Sequence, residues 1–214
     1  MEELRALTTI GIICEYDPFH RGHAHQFVEI RRIFPDAAII CLMSGCFTQR
    51  GLPALFSPSV RAAAALENGA DLVLELPTAF AVRDAEHFGL GGVSILERLG
   101  FVDYLSFGTE DELSVLKPAA ELLEEPDEAF QSRLRSYLAA GLSHAASQGK
   151  TLEERFPEAK EVFHRPNNIL ALCYLRALRR IESTMQPLPI RRKGDYHADT
   201  LSIGEFPSAK AVRA

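Results

Sequence analysis

The four cysteines, Cys14, Cys41, Cys46 and Cys173, form no C-x-x-C pair and no zinc-type spacing, so neither a disulfide framework nor a zinc module organises the chain. Cys14 and Cys41 fall in predicted strands and read as reduced core residues; Cys46 lies in a loop where a reactive and a spectator thiol both fit. No apolar run approaches bilayer-spanning length, and Met1-Glu2-Glu3-Leu4 lacks a cationic segment leading into an apolar core. A cytoplasmic protein with no membrane partner is therefore expected. Positive charge is in deficit: 23 Lys and Arg face 29 Asp and Glu, a formal net charge of −6. That argues against a broadly basic nucleic-acid-binding surface while leaving room for a local basic patch. What is present suits a large α/β domain, alone or with a helical insert: 214 residues, 47% of them hydrophobic.

The most informative stretch lies early. Thr8 to Cys14 is a short β-branched run that predicts a buried strand, and Asp17-Pro18 is a turn signal that stops it. Phe27, Ile30, Ile33 and Phe34 then recur at helical spacing, which puts His20 and His23 at a strand-to-helix junction. In open α/β sheets such junctions bind ligands, and the free N–H groups and dipole of the helix start favour a phosphate. Gly22 removes a Cβ from that start, and two imidazoles add donors, with positive charge when protonated. Metal binding by His20, His23 and His25, or ordinary turn histidines, are the competing readings; no Gly-Lys-Ser/Thr follows the strand, which excludes a kinase-type phosphate loop.

Further strands are predicted over Ala37–Met43, Asp71–Leu76, Val102–Phe107 and Leu188–Arg192, with helices between them. The result is a Rossmann-like, mainly parallel five-stranded sheet, interrupted from Leu113 to about Phe163 by helices alone, with Pro118, Pro126 and Gly141 as breaks. Ser57-Pro58 starts the helix Val60–Glu67, and Asp84–Leu99 forms another, loosened by Gly89, Gly91 and Gly92. Thr109-x-x-Glu112 reads as a capping box after strand four, and Ala139–Lys150, rich in small and polar residues, as a mobile stretch. Loops at strand exits carry the candidate contacts: Gln49 and Arg50 after strand two, Gly108 after strand four, Asn167 and Asn168 at the start of the helix opened by Arg165-Pro166, and Arg191-Arg192-Lys193 after strand five. Ser208-Ala209-Lys210-Ala211-Val212-Arg213 reads as one more helix start able to hold an anion.

The His-x-Gly-His spacing resembles the signature of the adenylyl nucleotidyltransferase superfamily. In order along the chain stand Glu15-Tyr16-Asp17-Pro18-Phe19-His20-x-Gly22-His23, Met43-Ser44-Gly45-x-Phe47-x-Gln49-Arg50-Gly51, Asn68 to Pro77, Phe107-Gly108-x-Glu110, Arg165 to Leu170 and Arg192-Lys193-Gly194. Together they resemble the bacterial tRNA(Met) cytidine acetate ligase family over nearly the whole chain. That resemblance implies a nucleotidyltransferase fold and an enzyme that uses ATP, with Mg²⁺ bridging its phosphates, to turn acetate into acetyl-adenylate. The acetyl group then passes to N4 of the wobble cytidine of elongator tRNA(Met).

Carried over by motif, the resemblance assigns ATP to Ile13, Cys14, Glu15, Tyr16, Asp17, Pro18, Phe19, His20, Arg21, Gly22, His23, Ala24, His25 and Gln26, and to Gly108, Asn167, Asn168, Arg192, Lys193 and Ser208. His20, His23, Lys210 and Arg213 become the catalytic set, with no protein-held metal, and Gln49 and Arg50 the contacts to the small substrate. Asp17 and Arg21 stand where the family usually has Asn, Leu52 where Glu is common, and Lys210 at a Thr position. Members of the family continue into a C-terminal region that helps hold tRNA, so weak tRNA binding is expected of this chain. A nucleotidyltransferase acting on another small substrate and a non-catalytic ATP-binding domain remain as alternatives.

Overall fold

The structure, a computed structural model, describes residues 7–192. Five strands form one sheet in the order β3-β2-β1-β4-β5, with every neighbouring pair parallel. They are β1 (Thr9–Cys14), β2 (Ala38–Ser44), β3 (Leu72–Leu76), β4 (Tyr104–Thr109) and β5 (Gln186–Arg191). The chain runs outward from β1 to β3, then crosses back to place β4 on the other side of β1, so the direction of winding reverses between β1 and β4. In such sheets the crevice at that reversal is where ligands bind.

Period-two alternation divides the core between the two faces of the sheet. Ile10, Ile12 and Cys14 of β1 join Ile39, Cys41 and Met43 of β2 beneath α1 (Arg21–Ile33) and α2 (Pro58–Glu67). Ile13, Ile40, Leu42, Leu105 and Phe107 face the other way. They meet α4 (Ala85–Arg98), α5 (Leu113–Glu124) and α8 (Pro166–Arg180), while the one-turn α3 (Thr78–Ala81) precedes α4. The glycines of α4 set its distance from its neighbours. A Cβ on Gly92 would lie 2.6 Å from Ile13 Cδ1, and one on Gly89 would lie 3.3 Å from the Cβ of Cys173 on α8.

From Leu113 to His164 the chain is helical: α5, α6 (Glu128–Ala139), α7 (His144–Arg155) and a 3₁₀ segment over Pro157–His164. Several sequence expectations shift here. Pro118 does not break α5 but sits inside it, on the exposed face, where the Ser114 carbonyl it leaves without an intrahelical partner can meet water. The Thr109-x-x-Glu112 box does not form, because Thr109 is the buried last residue of β4, paired with Arg191; Glu112 is the N-cap and its side chain makes no cap bond. Ala139–Lys150, read from its composition as mobile, contains the whole first half of α7, capped by Ser143, which accepts from the Ala146 N–H at 3.3 Å. Arg133 and Tyr137 of α6 both reach Glu154 of α7 and hold the two helices together.

β5 starts two residues earlier than its apolar run suggests. Gln186 and Arg192 donate their N–H groups to Asp103 and Thr109 across the ladder. By the same alternation Pro187 and Pro189 turn their missing donors to the open edge, where no partner is needed.

Candidate active site

α1 begins at His20, and the local sequence dictates how. His20 is extended (φ −143°, ψ 172°) and caps the helix with its own ring: Nδ1 accepts the Gly22 N–H at 3.1 Å. His23 returns the bond, its Nδ1 accepting the His20 N–H at 3.2 Å. This is a capping box made of imidazoles in place of a hydroxyl and a carboxylate. The rings stack at 3.7 Å between centroids, 22° from parallel. Gly22 is required because a Cβ there would lie 2.9 Å from His20 Cε1, so the close approach it permits is that of the ring.

Burial and then the Arg192 guanidinium lower His20 to about 4, and burial, His20 and Arg192 push His23 well below its usual value. Both imidazoles are therefore neutral near pH 7, which removes the charge allowed for in the sequence reading. Since both Nδ1 atoms accept main-chain protons, the hydrogen-bond network assigns the ring proton to Nε2 in each. Two N–H donors of fixed tautomer result, whereas the main-chain N–H groups of Gly22, His23 and Ala24 are taken up by the His20 ring and carbonyl and are not the free helix-start donors the sequence suggests.

The positive charge comes from the far end of the sheet. Arg192 follows β5, lays its stem over Gly108 and reaches toward α1; a Cβ on Gly108 would lie 3.3 Å from that stem, and one on Gly22 would lie 4.0 Å from Arg192 Nη2. The space Gly108 leaves at this strand exit is filled by Arg192. Arg192 Nη1 donates to Asn167 Oδ1 at 2.9 Å, and the Asn167 amide donates in turn to Glu110. Glu110 also accepts the Asn168 N–H at 3.1 Å. Loops from three strand exits and the first turn of α8 thus converge on one guanidinium.

The cleft at the β1/β4 reversal is lined by most of the predicted residues: Ile13, Cys14, Glu15, Tyr16, Asp17, Gly22, His23, His25, Gln26, Gln49, Gly108, Asn167 and Arg192. Others support it from behind. His20, 8% exposed, and Pro18 are buried beneath the α1 start, Phe19 packs edge-on against Tyr16 at 5.0 Å, and Ala24 and the exposed Arg21 lie off the cleft. Asn168 is also off the cleft: fully buried, it accepts from the Glu110 N–H and donates to Asp111 and to the Val162 carbonyl. Gln49 lines the cleft, with its side chain donating to the Arg83 carbonyl, whereas Arg50 is exposed and does not line it. Lys193, Ser208, Lys210 and Arg213 lie outside the described residues. Among the described residues no group of three or more His, Cys, Asp or Glu could hold a metal ion.

One organising residue is missed by the sequence reading. Arg61 of α2 is 1% exposed, and its guanidinium donates to the carbonyls of Phe56, Glu15, Ser44 and Gly45, tying the exits of β1 and β2 to each other. The available signal was its i,i+4 spacing to Ala65, which puts an arginine on the buried face of an alanine-rich helix.

A doubly wound sheet whose switch-point cleft sets two neutral imidazoles and a guanidinium at a helix start is the architecture of a nucleotidyl transferase. A model of the HIGH Nucleotidyl Transferase family matches residues 7–214, and the chain belongs to that family. It is 41% identical over 219 residues to the tRNA(Met) cytidine acetate ligase of Halothermothrix orenii, covering 97% of this chain and 52% of that protein. It is 42% identical over 211 residues to the ligase of the same name from Syntrophotalea carbinolica, covering 97% and 50%. Among solved structures, Thermotoga maritima TmcAL superposes in its apo form with a TM-score of 0.90 at 32% identity, over 97% of this chain and 51% of that one. The same protein bound with alpha-thio ATP superposes with a TM-score of 0.87 at 33% identity, over 97% and 50%. The chain spans about half the length of the curated relatives it matches.

Proposed function

We propose that this chain is the adenylate-forming part of a tRNA(Met) cytidine acetate ligase. It would bind ATP in the switch-point cleft and activate acetate there, and the acetyl group would go to N4 of the wobble cytidine of elongator tRNA(Met). The observation that carries this reading is the α1 start, where His23, its tautomer fixed by the His20/His23 capping box, and Arg192 face one cleft. The names of the relatives support the choice of product. An activity on tRNA fits a cytoplasmic location, and no described helix is long and apolar enough to cross a membrane.

Acetate is already a nucleophile, so no protein base has to activate it. One carboxylate oxygen attacks the α-phosphorus, an O–P bond forms, and the bond to the β-phosphate breaks with its electron pair leaving on pyrophosphate. The protein's part is to bring two anions together and to stabilise the charge that grows on the phosphates. His23 Nε2–H and Arg192 serve that purpose at the described end of the cleft, with His20 holding His23 and the helix start in place. With no described cluster of metal ligands, Mg²⁺ would arrive on the ATP phosphates and supply further charge there. In the second step the cytidine amine attacks the acetyl carbonyl, AMP leaves with the electron pair of the mixed anhydride, and N4 loses a proton.

Acetate-dependent exchange of labelled pyrophosphate into ATP tests the first step without tRNA. The expected result is exchange that requires a small carboxylate and falls by on the order of 10² in the His20→Ala/His23→Ala double variant. Exchange that needs no carboxylate, or a double variant with normal exchange, overturns the reading.

A further inference from the structure

Deep in the same cleft, one polar group is used by nothing described so far. α8 presents Asn167, Leu170 and Tyr174 to the cleft, at the i, i+3, i+7 spacing of one helix face. Asn167 holds Arg192, and Tyr174 stands two turns further on, about 10 Å along the helix. Tyr174 is 4% exposed; its ring packs 5.6 Å from that of Phe107, and Gly89 of α4 leaves room for it, since a Cβ there would lie 3.4 Å from Tyr174 Cδ1. Its hydroxyl exchanges no hydrogen bond with any described residue and, unlike the sealed hydroxyls of Ser44 and Ser147, is reachable from the cleft, where water or a ligand can take its proton.

The surroundings restrict what that ligand can be. Ile13, Phe88, Phe107 and Leu170 line this end of the cleft and supply only apolar surface. A nucleobase carries several donors and acceptors, and the side chains clustered at this end, apolar apart from Tyr174 and Glu15, offer fewer polar partners than it needs. A short carboxylic acid has the complementary form, with an alkyl end for the apolar wall and an oxygen for the hydroxyl. Burial pushes the Tyr174 phenol well above its usual value, so it remains an O–H donor throughout the working pH range. Glu15 lies within electrostatic reach of Tyr174, and one of its carboxylate oxygens accepts the Gln49 main-chain N–H.

Resting on the activity proposed above, we infer that Tyr174 is the specificity-determining contact to the small carboxylate. Its hydroxyl donates to one carboxylate oxygen, the other oxygen is left for the α-phosphorus, and Phe88 and Leu170 enclose the methyl group. This assigns the small-substrate end to α8 and away from Arg50, which does not line the cleft.

The test is pyrophosphate exchange by the wild-type chain and by Tyr174→Phe, with acetate and ATP varied separately, alongside direct titration of a non-hydrolysable ATP analogue. Phe keeps the ring packing, so thermal melts should match. A lost hydrogen bond to a charged oxygen predicts a KM for acetate raised roughly 10- to 100-fold, with the KM for ATP and the analogue's Kd unchanged within about twofold. An unchanged acetate KM, as for a hydroxyl satisfied by water, overturns the inference. So does a parallel loss of ATP affinity, which would place the hydroxyl on the nucleotide. A wild-type chain that exchanges with no small carboxylate overturns the proposed function itself and this inference with it, an outcome recognisable before any variant is made.

Discussion

Neutral imidazoles at the α1 start, the proposed phosphate site, tie stability to protonation. The folded pKa of His20 lies near 4 against 6.5 for an unperturbed imidazole, and that of His23 is lowered as well. Between those values the unfolded chain binds protons that the folded chain does not, so stability falls as pH drops from about 6.5 toward 4 and is fully present above that window. His20 alone should account for a loss on the order of 2 kcal/mol by pH 5. Urea unfolding at pH 7 and pH 5 measures it, and His20→Asn, which keeps a capping side chain that cannot titrate, should lose distinctly less. An equal loss in both proteins would mean that other groups set the acid limit. Arg61 is the second residue whose replacement has a sharp expected result. Arg61→Met leaves the carbonyls of Phe56, Glu15, Ser44 and Gly45 without their donor and should destabilise the fold by about 3–5 kcal/mol in the same assay. Arg61→Lys should recover only a minor part, because one ammonium cannot span the carbonyls that a guanidinium fork reaches.

At the level of elements, α8 docks on the β4 exit through adjacent asparagines with opposite duties. Asn168 is fully buried and satisfies Glu110, Asp111 and Val162, so Asn168→Ala should cost about 2–4 kcal/mol of stability. Asn167 lines the cleft and positions Arg192, so Asn167→Ala should leave unfolding nearly unchanged while weakening the ATP analogue about tenfold by calorimetric titration. Equal effects of the two variants on stability would remove the distinction. Both asparagines were legible in the sequence as helix-start residues, but their division of labour was not, because spacing cannot tell which side chain turns inward. The strands show the same limit. β1, β2 and β3 are short apolar runs bounded by turn signals and could be placed within a residue, whereas β4, expected over Val102–Phe107, lies two residues later at Tyr104–Thr109. β5 was begun only at Leu188, after Pro187; a proline in a strand is harmless only at an edge, and edge position is a property of strand order that no local window contains. The clustering of His20, Gly22 and His23 at the α1 start was legible because they lie within four residues of one another. Arg61 was not, because its partners come from loops 5 to 46 residues away.

Across the whole molecule, charge decides how much tRNA this chain can hold. Backbone phosphates are bound by arginines and lysines that can exchange counterions for them, and each such contact adds to the salt dependence of binding. The arginines nearest the end of α8 are already committed to carboxylates. Arg179 pairs with Glu125 at 2.9 Å, and Arg180 with Glu124 at 2.6 Å and Glu86 at 2.9 Å, while Arg176 is half of the same network. Arg191 approaches Glu112 at 3.5 Å, and Arg192 lines the cleft and donates to Asn167. A polyanion would have to displace these carboxylates on a chain whose net charge is already −6, so the local attraction is largely cancelled before contact. Binding of elongator tRNA(Met) at physiological salt should therefore fall in the non-specific range, a Kd of roughly 10⁻⁴ to 10⁻⁶ M, with a shallow salt slope. Fluorescence titration of elongator tRNA(Met) and of an unrelated tRNA at two salt concentrations makes the comparison. Equal, weak affinities are expected for the two. Tight binding selective for tRNA(Met) would show that recognition lies within these 214 residues, and that the ion pairs of α8 open when the RNA arrives.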